Sequence, residues 1–273
     1  NPKFASRAEN MRRKLAEERE RLDQTAAPSL TRRGIEVEFD AERGATMVLE
    51  ATGLAKSFGD RVIAKPFDVI VRNNERVGLV GPNGAGKTTL FRIILGREKP
   101  SAGTLRIGSA VVVGYYAQEQ ETLDPDTTPL DLVRGLRAYT EQQAISFLST
   151  LRFDRHDMLN KVRNLSGGEK ARLQIGTLIL GGANFLLLDE PTNNLDIASV
   201  EVLEAALLDF TGTILTISHD RYFLDKLCTR TIEIDGGVVR DYPGGFSYYQ
   251  ANRDKGTVLT LGMAPRPVTG KPA

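Results

Sequence analysis

The sequence has little that would mark a secreted, membrane-spanning or strongly charged protein. Its single cysteine, Cys228, excludes a disulfide framework within the chain and fits a reducing compartment. No run of about 18 apolar residues is present, so no membrane-spanning helix is predicted. The 36 basic and 35 acidic residues leave a formal charge of +1, which gives no global reason to expect nucleic-acid or membrane binding. The 273 residues, 41% of them hydrophobic, suffice for one large soluble domain or two small ones.

Residues 1–28 predict a charged helix that precedes the main domain. Its apolar residues recur at spacings of three, four and seven, which is typical of a narrow seam: Phe4, Ala8, Met11, Leu15 and Leu22. The helix is either a solvated arm or a linker that contacts another macromolecule. Residues 1–33 contain nine basic and five acidic residues, so this arm is suited to an RNA surface. Because the sequence begins at Asn1 and shows no signal peptide, we expect a mature fragment or a piece of a longer chain.

Residues 29–250 predict one α/β domain, and residues 251–273 a disordered tail without periodicity. An antiparallel layer is expected first, with strands at Ile35–Phe39, Met47–Glu50, Val62–Ile63 and Phe67–Val71. Further strands are predicted at Arg76–Val80, Val111–Tyr116, Phe185–Asp189, Thr213–Ser218, Ile232–Asp235 and Val238–Arg240. Helices are predicted at Thr88–Leu95, Ser199–Leu208 and Asp220–Leu227, and the stretch 122–181 is mainly helical.

The octapeptide 81–88 fits the pattern G-x-x-x-x-G-K-[ST] of a phosphate-binding loop. A predicted strand precedes it and a predicted helix follows, so backbone N–H groups and the helix N-terminus would face the phosphates. Lys87 would bridge the β- and γ-phosphates, and the Thr88 hydroxyl would ligate Mg²⁺. The alternative is a tight structural turn.

Two adjacent acids follow the apolar run 185–188. Ligands bind at the carboxyl ends of the strands in parallel sheets, which is where Asp189 and Glu190 would stand. We expect Asp189 to hold Mg²⁺ through water and Glu190 to act as general base toward the attacking water. The alternative is a solvated strand end.

A second helix start lies at 165–170, where Ser166 and Glu169 form the S-x-x-E pattern of a capping box. With Gly167 and Gly168 it would expose N–H groups and so make a second anion-binding helix end. Read alone, it is an ordinary N-cap. Beside the phosphate-binding loop it raises the question of what it binds, because a single γ-phosphate would then face two anion-binding helix ends.

Together these segments resemble the ATP-binding cassette superfamily. GPNGAGKTT (81–89) is similar to its Walker A loop, LSGGEK (165–170) to its signature and FLLLDE (185–190) to its Walker B strand. The resemblance implies catalytic roles for Lys87, Glu190 and His219, and a D-loop role for Asp196. It implies that the signature residues Ser166, Gly167, Gly168 and Glu169 contact the partner's ATP. It implies a metal site of Thr88, Gln118 and Asp189. The ATP-binding residues would be Phe58 (under the adenine), Gly81, Asn83, Gly84, Gly86, Lys87, Thr88, Thr89 and Gln118.

In that superfamily two cassettes sandwich two nucleotides head to tail, which answers the question of the second helix end. The resemblance therefore implies a Mg²⁺-dependent ATPase on a P-loop fold, with a mixed β core, an antiparallel β layer and a helical subdomain. The implied partner is a second cassette, in the same longer chain or as a homodimer.

Three segments resemble the ABC-F subfamily in particular: EPTNNLD (190–196), ISHDRYFLD (217–225) and YPGGFSYYQ (242–250). This implies a cytoplasmic tandem cassette without membrane domains that acts on the ribosome and its tRNA in translation or antibiotic resistance. The chain would be the second cassette with part of the linker. The alternatives are the nucleotide-binding subunit of a membrane transporter and a non-hydrolysing ATP-gated scaffold, which the presence of both Glu190 and His219 disfavours. Asn194 stands where the subfamily more often has His, with little expected effect on hydrolysis.

The remaining candidates have structural interpretations. We expect His156 to be a solvated loop residue and Cys228 to be buried filler. No Cys/His cluster predicts zinc. For Tyr222, Phe223 and Tyr248 we expect core packing rather than base stacking.

Overall fold

A computed structural model describes residues 47–117 and 123–253. Within these ranges the chain forms a mixed α/β domain with two sheets and a separate group of helices, as predicted. The predicted linker helix, the strand at Ile35–Phe39, Gln118 and the predicted tail after Arg253 lie outside the described residues.

The first sheet is antiparallel, with strand order β2-β1-β4. Its strands are β1 (Met47–Phe58), β2 (Arg61–Arg72) and β4 (Ala102–Ile107). The segments predicted separately at 62–63 and 67–71 are therefore one strand. Pro66 lies between them, and proline is tolerated there because β2 is an edge strand. Strand β4 was not predicted, because its side chains are mostly exposed and backbone pairing with β1 defines it.

The second sheet has six strands in the order β5-β6-β7-β3-β8-β9. They are β3 (Arg76–Val80), β5 (Val113–Tyr116), β6 (Phe185–Asp189), β7 (Thr213–Ile217), β8 (Arg230–Asp235) and β9 (Val238–Tyr242). The first five are parallel and β9 is antiparallel to β8. Every residue of β6 and β7 is buried, as expected for central parallel strands. The carboxyl ends of β3, β6 and β7 therefore meet at one edge.

Helix α1 (Lys87–Ile94) follows β3 directly. A group of helices follows β5 and has its own apolar core: α2 (Pro129–Leu136), α3 (Glu141–Thr150), α4 (Arg155–Leu159) and α5 (Gly167–Leu180). Both predicted capping boxes, at Thr140 with Gln143 and at Ser166 with Glu169, are confirmed. The last three helices are α6 (Ile197–Asp209), α7 (Arg221–Leu227) and α8 (Phe246–Asn252).

The exposure of four side chains tests the packing that the sequence predicted for them. Phe223 is fully buried as predicted, but Tyr222 is 89% exposed and Tyr248 is 40% exposed, so the core prediction was wrong for both tyrosines. Neighbouring residues on a helix point about 100° apart, and it is Phe223 in α7 and Tyr249 in α8 that face the core. His156 is solvent-exposed as expected, although it lies on α4 rather than in a loop.

Cys228 is buried, as predicted, in an apolar cluster that also contains Phe223, Leu224 and Leu227 of α7. Burial raises the pKa of its thiol to about 12. The thiolate is therefore not formed at neutral pH, which fits a packing role.

Candidate functional site

The glycine-rich loop 81–86 connects the end of β3 to the first residue of α1. Gly81 has φ of 148°, and a Cβ there would lie 2.1 Å from the carbonyl oxygen of Ile234 on β8. Gly86 has φ of 105°, and a Cβ there would lie 2.2 Å from Cγ2 of Ile63 on β2. Glycine is required at both ends because neither the dihedral angles nor the space admits a side chain. The loop is thus wedged between the two sheets.

Lys87 is folded back into this loop. Its Nζ donates to the carbonyl oxygens of Gly81 at 2.8 Å and Pro82 at 3.0 Å, and the residue is 8% exposed. Burial lowers the pKa of Lys87, and the nearby carboxylates of Glu190 and Asp189 oppose that shift. The loop therefore holds a partly desolvated cation between its backbone and two acids.

Asp189 ends β6 and is 5% exposed. Burial raises the pKa of its carboxyl, while hydrogen bonds from Tyr115 and Thr88 and the charge of Lys87 oppose the shift. The Tyr115 hydroxyl donates to Oδ2 at 3.4 Å. A carboxylate beside a threonine hydroxyl is an all-oxygen donor set, which is what Mg²⁺ prefers, so the residues present fit that ion.

Glu190 turns away from the strand direction immediately after Asp189. Its φ of 52° is in the left-handed region, which is uncommon for a residue other than glycine. Its backbone N–H donates to Ile217 at 2.9 Å. Oε1 lies 3.4 Å from Nε2 of His219, and the His219 backbone N–H donates to Oε2 at 3.1 Å. The turn thus pairs the buried carboxylate with the histidine that follows β7.

One open cleft of about 690 Å³, here termed the central cleft, lies along these groups. That volume is in the range of small-molecule and cofactor sites. Of the predicted site residues it is lined by Phe58, Asn83, Gly84, Gly86, Lys87, Thr88, Thr89, Asp189, Glu190 and His219. Gly81 contributes the carbonyl that binds Lys87.

Three further residues at the site were not predicted. Arg61 and Asn193 also line the central cleft, and Arg61 donates to the carbonyl of Gly84 at 3.1 Å. Tyr115 contacts Asp189 as described. Arg61 begins β2 and belongs to no predicted motif, whereas Asn193 lies within EPTNNLD (190–196) but was not selected as a site residue. Tyr115 precedes the predicted Gln118 on an inward-facing strand position, which is the only signal that could have found it.

The signature residues are elsewhere on the domain. Ser166 to Glu169 are absent from the described lining of the central cleft. Ser166 Oγ accepts from the Glu169 N–H at 3.3 Å, and Glu169 Oε2 accepts from the Ser166 N–H at 2.8 Å. Ser166 and Gly167 are exposed, so this helix end is accessible from outside.

The predicted D-loop residue supports the start of α6. Asp196 accepts from the Ser199 N–H at 2.7 Å, and so caps the helix. Gly168 packs against that same helix, since a Cβ there would lie 2.0 Å from Ser199 Oγ. The signature and the D-loop are therefore held together by a close contact between α5 and α6.

A glycine-rich loop between a parallel strand and a helix, with two acids at the end of β6, defines a P-loop nucleotide-binding domain. The model of the ABC transporter family matches residues 64–193. Two solved structures share the fold: an inward-facing putative metal-chelate type ABC transporter (TM-score 0.62, 19% identity, 78% of this chain, 88% of that chain) and the ATP-binding cassette MJ0796 in a dimeric post-hydrolysis state bound to ADP and Pi (TM-score 0.58, 21% identity, 71% of this chain, 98% of that chain).

The curated relatives narrow the assignment. The chain is 39% identical over 246 residues to the putative ATP-binding protein YdiF of Bacillus subtilis, covering 89% of this chain and 38% of the relative. It is 40% identical over 209 residues to the energy-dependent translational throttle protein EttA of Escherichia coli, covering 74% and 38%. It is 36% identical over 251 residues to ABC transporter F family member 5 of Arabidopsis thaliana, covering 90% and 35%.

The chain belongs to the ABC-F subfamily of the ATP-binding cassette ATPases. It spans little more than a third of the length of the curated relatives it matches. Within the described ranges, none of the helices combines the length and apolar character needed to cross a bilayer.

Proposed function

We propose that this chain binds ATP with Mg²⁺ in the central cleft and hydrolyses it to ADP and phosphate. The observation that carries the proposal is the convergence of Lys87, Thr88, Asp189, Glu190 and His219 on that one cleft. Each has the chemistry that a γ-phosphate and its attacking water require. Family membership supports the same reaction.

The loop residues would bind the phosphates. Backbone N–H groups of 81–86 and the N-terminus of α1 offer donors and positive potential to oxygen anions. Lys87 would exchange its bonds to the Gly81 and Pro82 carbonyls for phosphate oxygens. Asn83, Gly84, Gly86 and Thr89 shape the loop around the same group, and Phe58 would lie against the adenine.

Thr88 and Asp189 would hold Mg²⁺, together with Gln118. When bound, the ion neutralises the charge that develops on the phosphate oxygens. Glu190 would orient the attacking water and accept its proton, because it is the buried carboxylate adjacent to the metal pair. His219, 3.4 Å from Glu190, would hold that carboxylate and contact the γ-phosphate.

A second cassette would complete the site. The helix end at Ser166 and Gly167 is exposed and lies outside the lining of the central cleft, which supports a role toward a nucleotide held by a partner. That partner would be the other cassette of a longer chain or a second copy. The D-loop residue Asp196 would be positioned together with the signature, because α5 and α6 are in close contact.

We further propose a ribosome-bound role in the cytoplasm, with this chain as the second cassette of a tandem protein. Support comes from the relatives, one of which is named a translational throttle protein, and from the basic residues within 1–33. In this proposal residues 1–28 are linker helix, 29–250 the cassette and 251–273 a tail. The translation step served, including ribosome protection from antibiotics, depends on parts outside this chain.

Glu190→Gln provides the test. We expect the variant to bind ATP as the wild type does and to lose turnover by more than about tenfold, because the amide cannot accept a proton. Phosphate release and ATP binding are measured on the same preparation. Unchanged turnover would remove Glu190 from the role, and Glu201→Gln, an exposed acid outside the cleft, is the matched control.

The Glu190→Gln variant also tests the proposed binding to the ribosome. Locked in the ATP state, it should co-sediment with ribosomes in a sucrose gradient with ATP and not with ADP. Association with membrane vesicles in place of ribosomes would favour the transporter-subunit alternative.

A further inference from the structure

Lys56 places its ammonium group against the ring of Phe58. Its Nζ lies 4.4 Å from the ring centroid, within the range of a cation–π interaction. The same nitrogen donates to Glu98 Oε1 at 2.7 Å and to the Lys99 carbonyl at 2.9 Å. Lys56 is only 8% exposed. A buried ammonium with three fixed neighbours has a defined position, in contrast to an ordinary surface lysine.

Phe58 is half exposed and borders the central cleft at the end of β1. An exposed aromatic side chain on a strand end normally samples several rotamers. Here the ammonium fixes one face of the ring, while the exposed part of the ring remains available to a ligand. Lys56 therefore restricts the orientation of Phe58 before any ligand binds.

The anchors of Lys56 connect this ring to the phosphate loop. Glu98 and Lys99 follow α1, the helix that begins at Lys87, so the ammonium joins β1 to the far end of that helix. The separation between the ring of Phe58 and the start of α1 is thus set by packed and hydrogen-bonded groups. A nucleotide would have to match that separation, since its base and its phosphates contact the two ends.

We propose that Lys56 is a positioning residue that preorganises Phe58 as a stacking platform for the base of the bound nucleotide. This inference rests on the proposed binding of ATP in the central cleft. A ring that is already ordered loses less conformational freedom on binding than a free one. The benefit applies only to ligands that carry a base, and phosphate binding by the loop does not depend on it.

The test compares two ligands on the full 273-residue chain. Lys56→Met keeps the length of the side chain and removes the charge. We expect it to weaken ATP binding by about threefold to tenfold, the cost of ordering one side chain. Binding of inorganic tripolyphosphate, which has no base, should stay within about twofold of the wild type. Both dissociation constants are measured by calorimetry.

A purely structural role would weaken both ligands equally, and that result would overturn the proposal. Lys65→Met, at an exposed lysine on β2, is the matched control and should change neither constant. Should Lys56→Met fail to fold, Glu98→Ala removes one of the two hydrogen-bond acceptors of the ammonium without altering Lys56. It is expected to shift ATP binding in the same direction by a smaller factor, and no shift would contradict the inference.

Phe58→Ala separates this inference from the proposed function. If it weakens ATP selectively while Lys56→Met does not, the platform stands and the role of Lys56 is wrong. If Phe58→Ala leaves ATP binding unchanged, both assignments fail. In the double variant, Lys56→Met should add nothing to the loss caused by Phe58→Ala, since the lysine acts through the ring.

A spectroscopic readout is available because the chain contains no tryptophan. Phe58→Trp introduces a single indole at the platform. ATP should quench its fluorescence and tripolyphosphate should not. Adding Lys56→Met should lower the ATP-induced quenching at a given ATP concentration, and an unchanged quenching curve would count against the inference.

Discussion

Asp189 and Glu190 are adjacent acids whose environments differ. Asp189 ends a fully buried strand, and burial raises its pKa despite donors from Thr88 and Tyr115. The left-handed backbone conformation of Glu190 turns the residue out of the strand direction, and its side chain contacts His219. One peptide turn thus separates the proposed metal ligand from the proposed base. A left-handed residue that is not glycine costs about 1–3 kcal/mol and persists where the surrounding structure imposes it.

The raised pKa of Asp189 gives a prediction about stability. A carboxyl whose folded pKa is raised is disfavoured as an anion, so at neutral pH its charge opposes folding. Asp189→Asn should therefore increase the melting temperature in magnesium-free and nucleotide-free buffer, while removing Mg²⁺-dependent turnover. Asp209→Asn, at an exposed acid, is the control. A lowered melting temperature would show that the ionised form of Asp189 stabilises the empty fold.

Asn194 also adopts a left-handed conformation, with φ of 61°. Asparagine tolerates that region better than most residues. The departure from the commoner histidine is therefore compatible with the backbone at this position, and the residue is exposed. Its backbone carbonyl lies beside the signature, since a Cβ at Gly167 would be 3.4 Å from it.

At the scale of elements, one buried carboxylate joins β8, β9 and α8 in the C-terminal part of the domain. Glu233 on β8 is 1% exposed and accepts from the Tyr249 hydroxyl of α8 at 2.8 Å. It also accepts from the Tyr242 hydroxyl of β9 at 3.3 Å, and pairs with Arg240 at 3.2 Å and Arg253 at 2.9 Å. Strand β8 pairs with β3, which leads into the phosphate loop. The contacts that attach α8 therefore connect through β8 and β3 to the phosphate loop.

Glu233→Leu should detach α8 and destabilise the domain. Removing one partner of a buried charged network costs about 3–5 kcal/mol, because the remaining polar groups lose their acceptor. Denaturant unfolding measures the loss, and limited proteolysis after 245 reports the release of the helix. Arg253→Gln should cost far less, about 0–1 kcal/mol, because that side chain is 47% exposed. Equal losses in the two variants would place the stabilisation in the Arg253 pair alone.

The sequence predicted those elements whose signals are local. The loop 81–88 and the run 185–189 carry their own chemistry, and the capping boxes at Thr140 and Ser166 are defined by residues three apart. Strand β4 and helix α8 have no such signal. Strand β4 exists because β1 pairs with it, and α8 is held by distant contacts to Glu233. Tertiary contacts of this kind are invisible to residue patterns.

The same distinction between local residue patterns and tertiary contacts applies to the site residues. The predicted residues of the phosphate loop and the two acids line the central cleft, whereas Arg61 and Tyr115 come from positions without a motif, and Asn193 lies in EPTNNLD (190–196) without having been selected. Tyr222, which was wrongly predicted to pack in the core, shows a second limit of prediction from residue patterns. An apolar run such as 222–224 predicts that a helix packs on the core, but not which of two neighbouring residues faces it.

For the whole molecule, the central cleft connects the two sheets. Its lining comes from the antiparallel sheet through Phe58 and Ile63, and from the parallel sheet through Asp189 and Ile217. A ligand that binds only the assembled cleft stabilises the native state in proportion to the logarithm of its concentration. Saturation at about a hundred times the dissociation constant corresponds to about 2.7 kcal/mol.

ATP with Mg²⁺ should therefore raise the melting temperature of the wild type by several degrees. Lys87→Ala should abolish most of that increase, because the proposed phosphate cation is lost. Differential scanning fluorimetry at stepped ATP concentrations provides the measurement. Lys65→Ala, outside the cleft, should keep the full increase. An equal shift in Lys87→Ala would mean that ATP stabilises the protein from another site.

The buried cysteine has a practical consequence for studying motion in this protein. Cys228 is the only thiol in the chain, it is 4% exposed, and its pKa is about 12. The thiolate is the form that adds to maleimide reagents, so the native chain is close to unreactive at neutral pH. A cysteine introduced at an exposed position outside the proposed site, such as Tyr222→Cys, would accept a fluorophore or spin label selectively. The sequence of this chain is therefore a ready background for site-specific labelling of the domain.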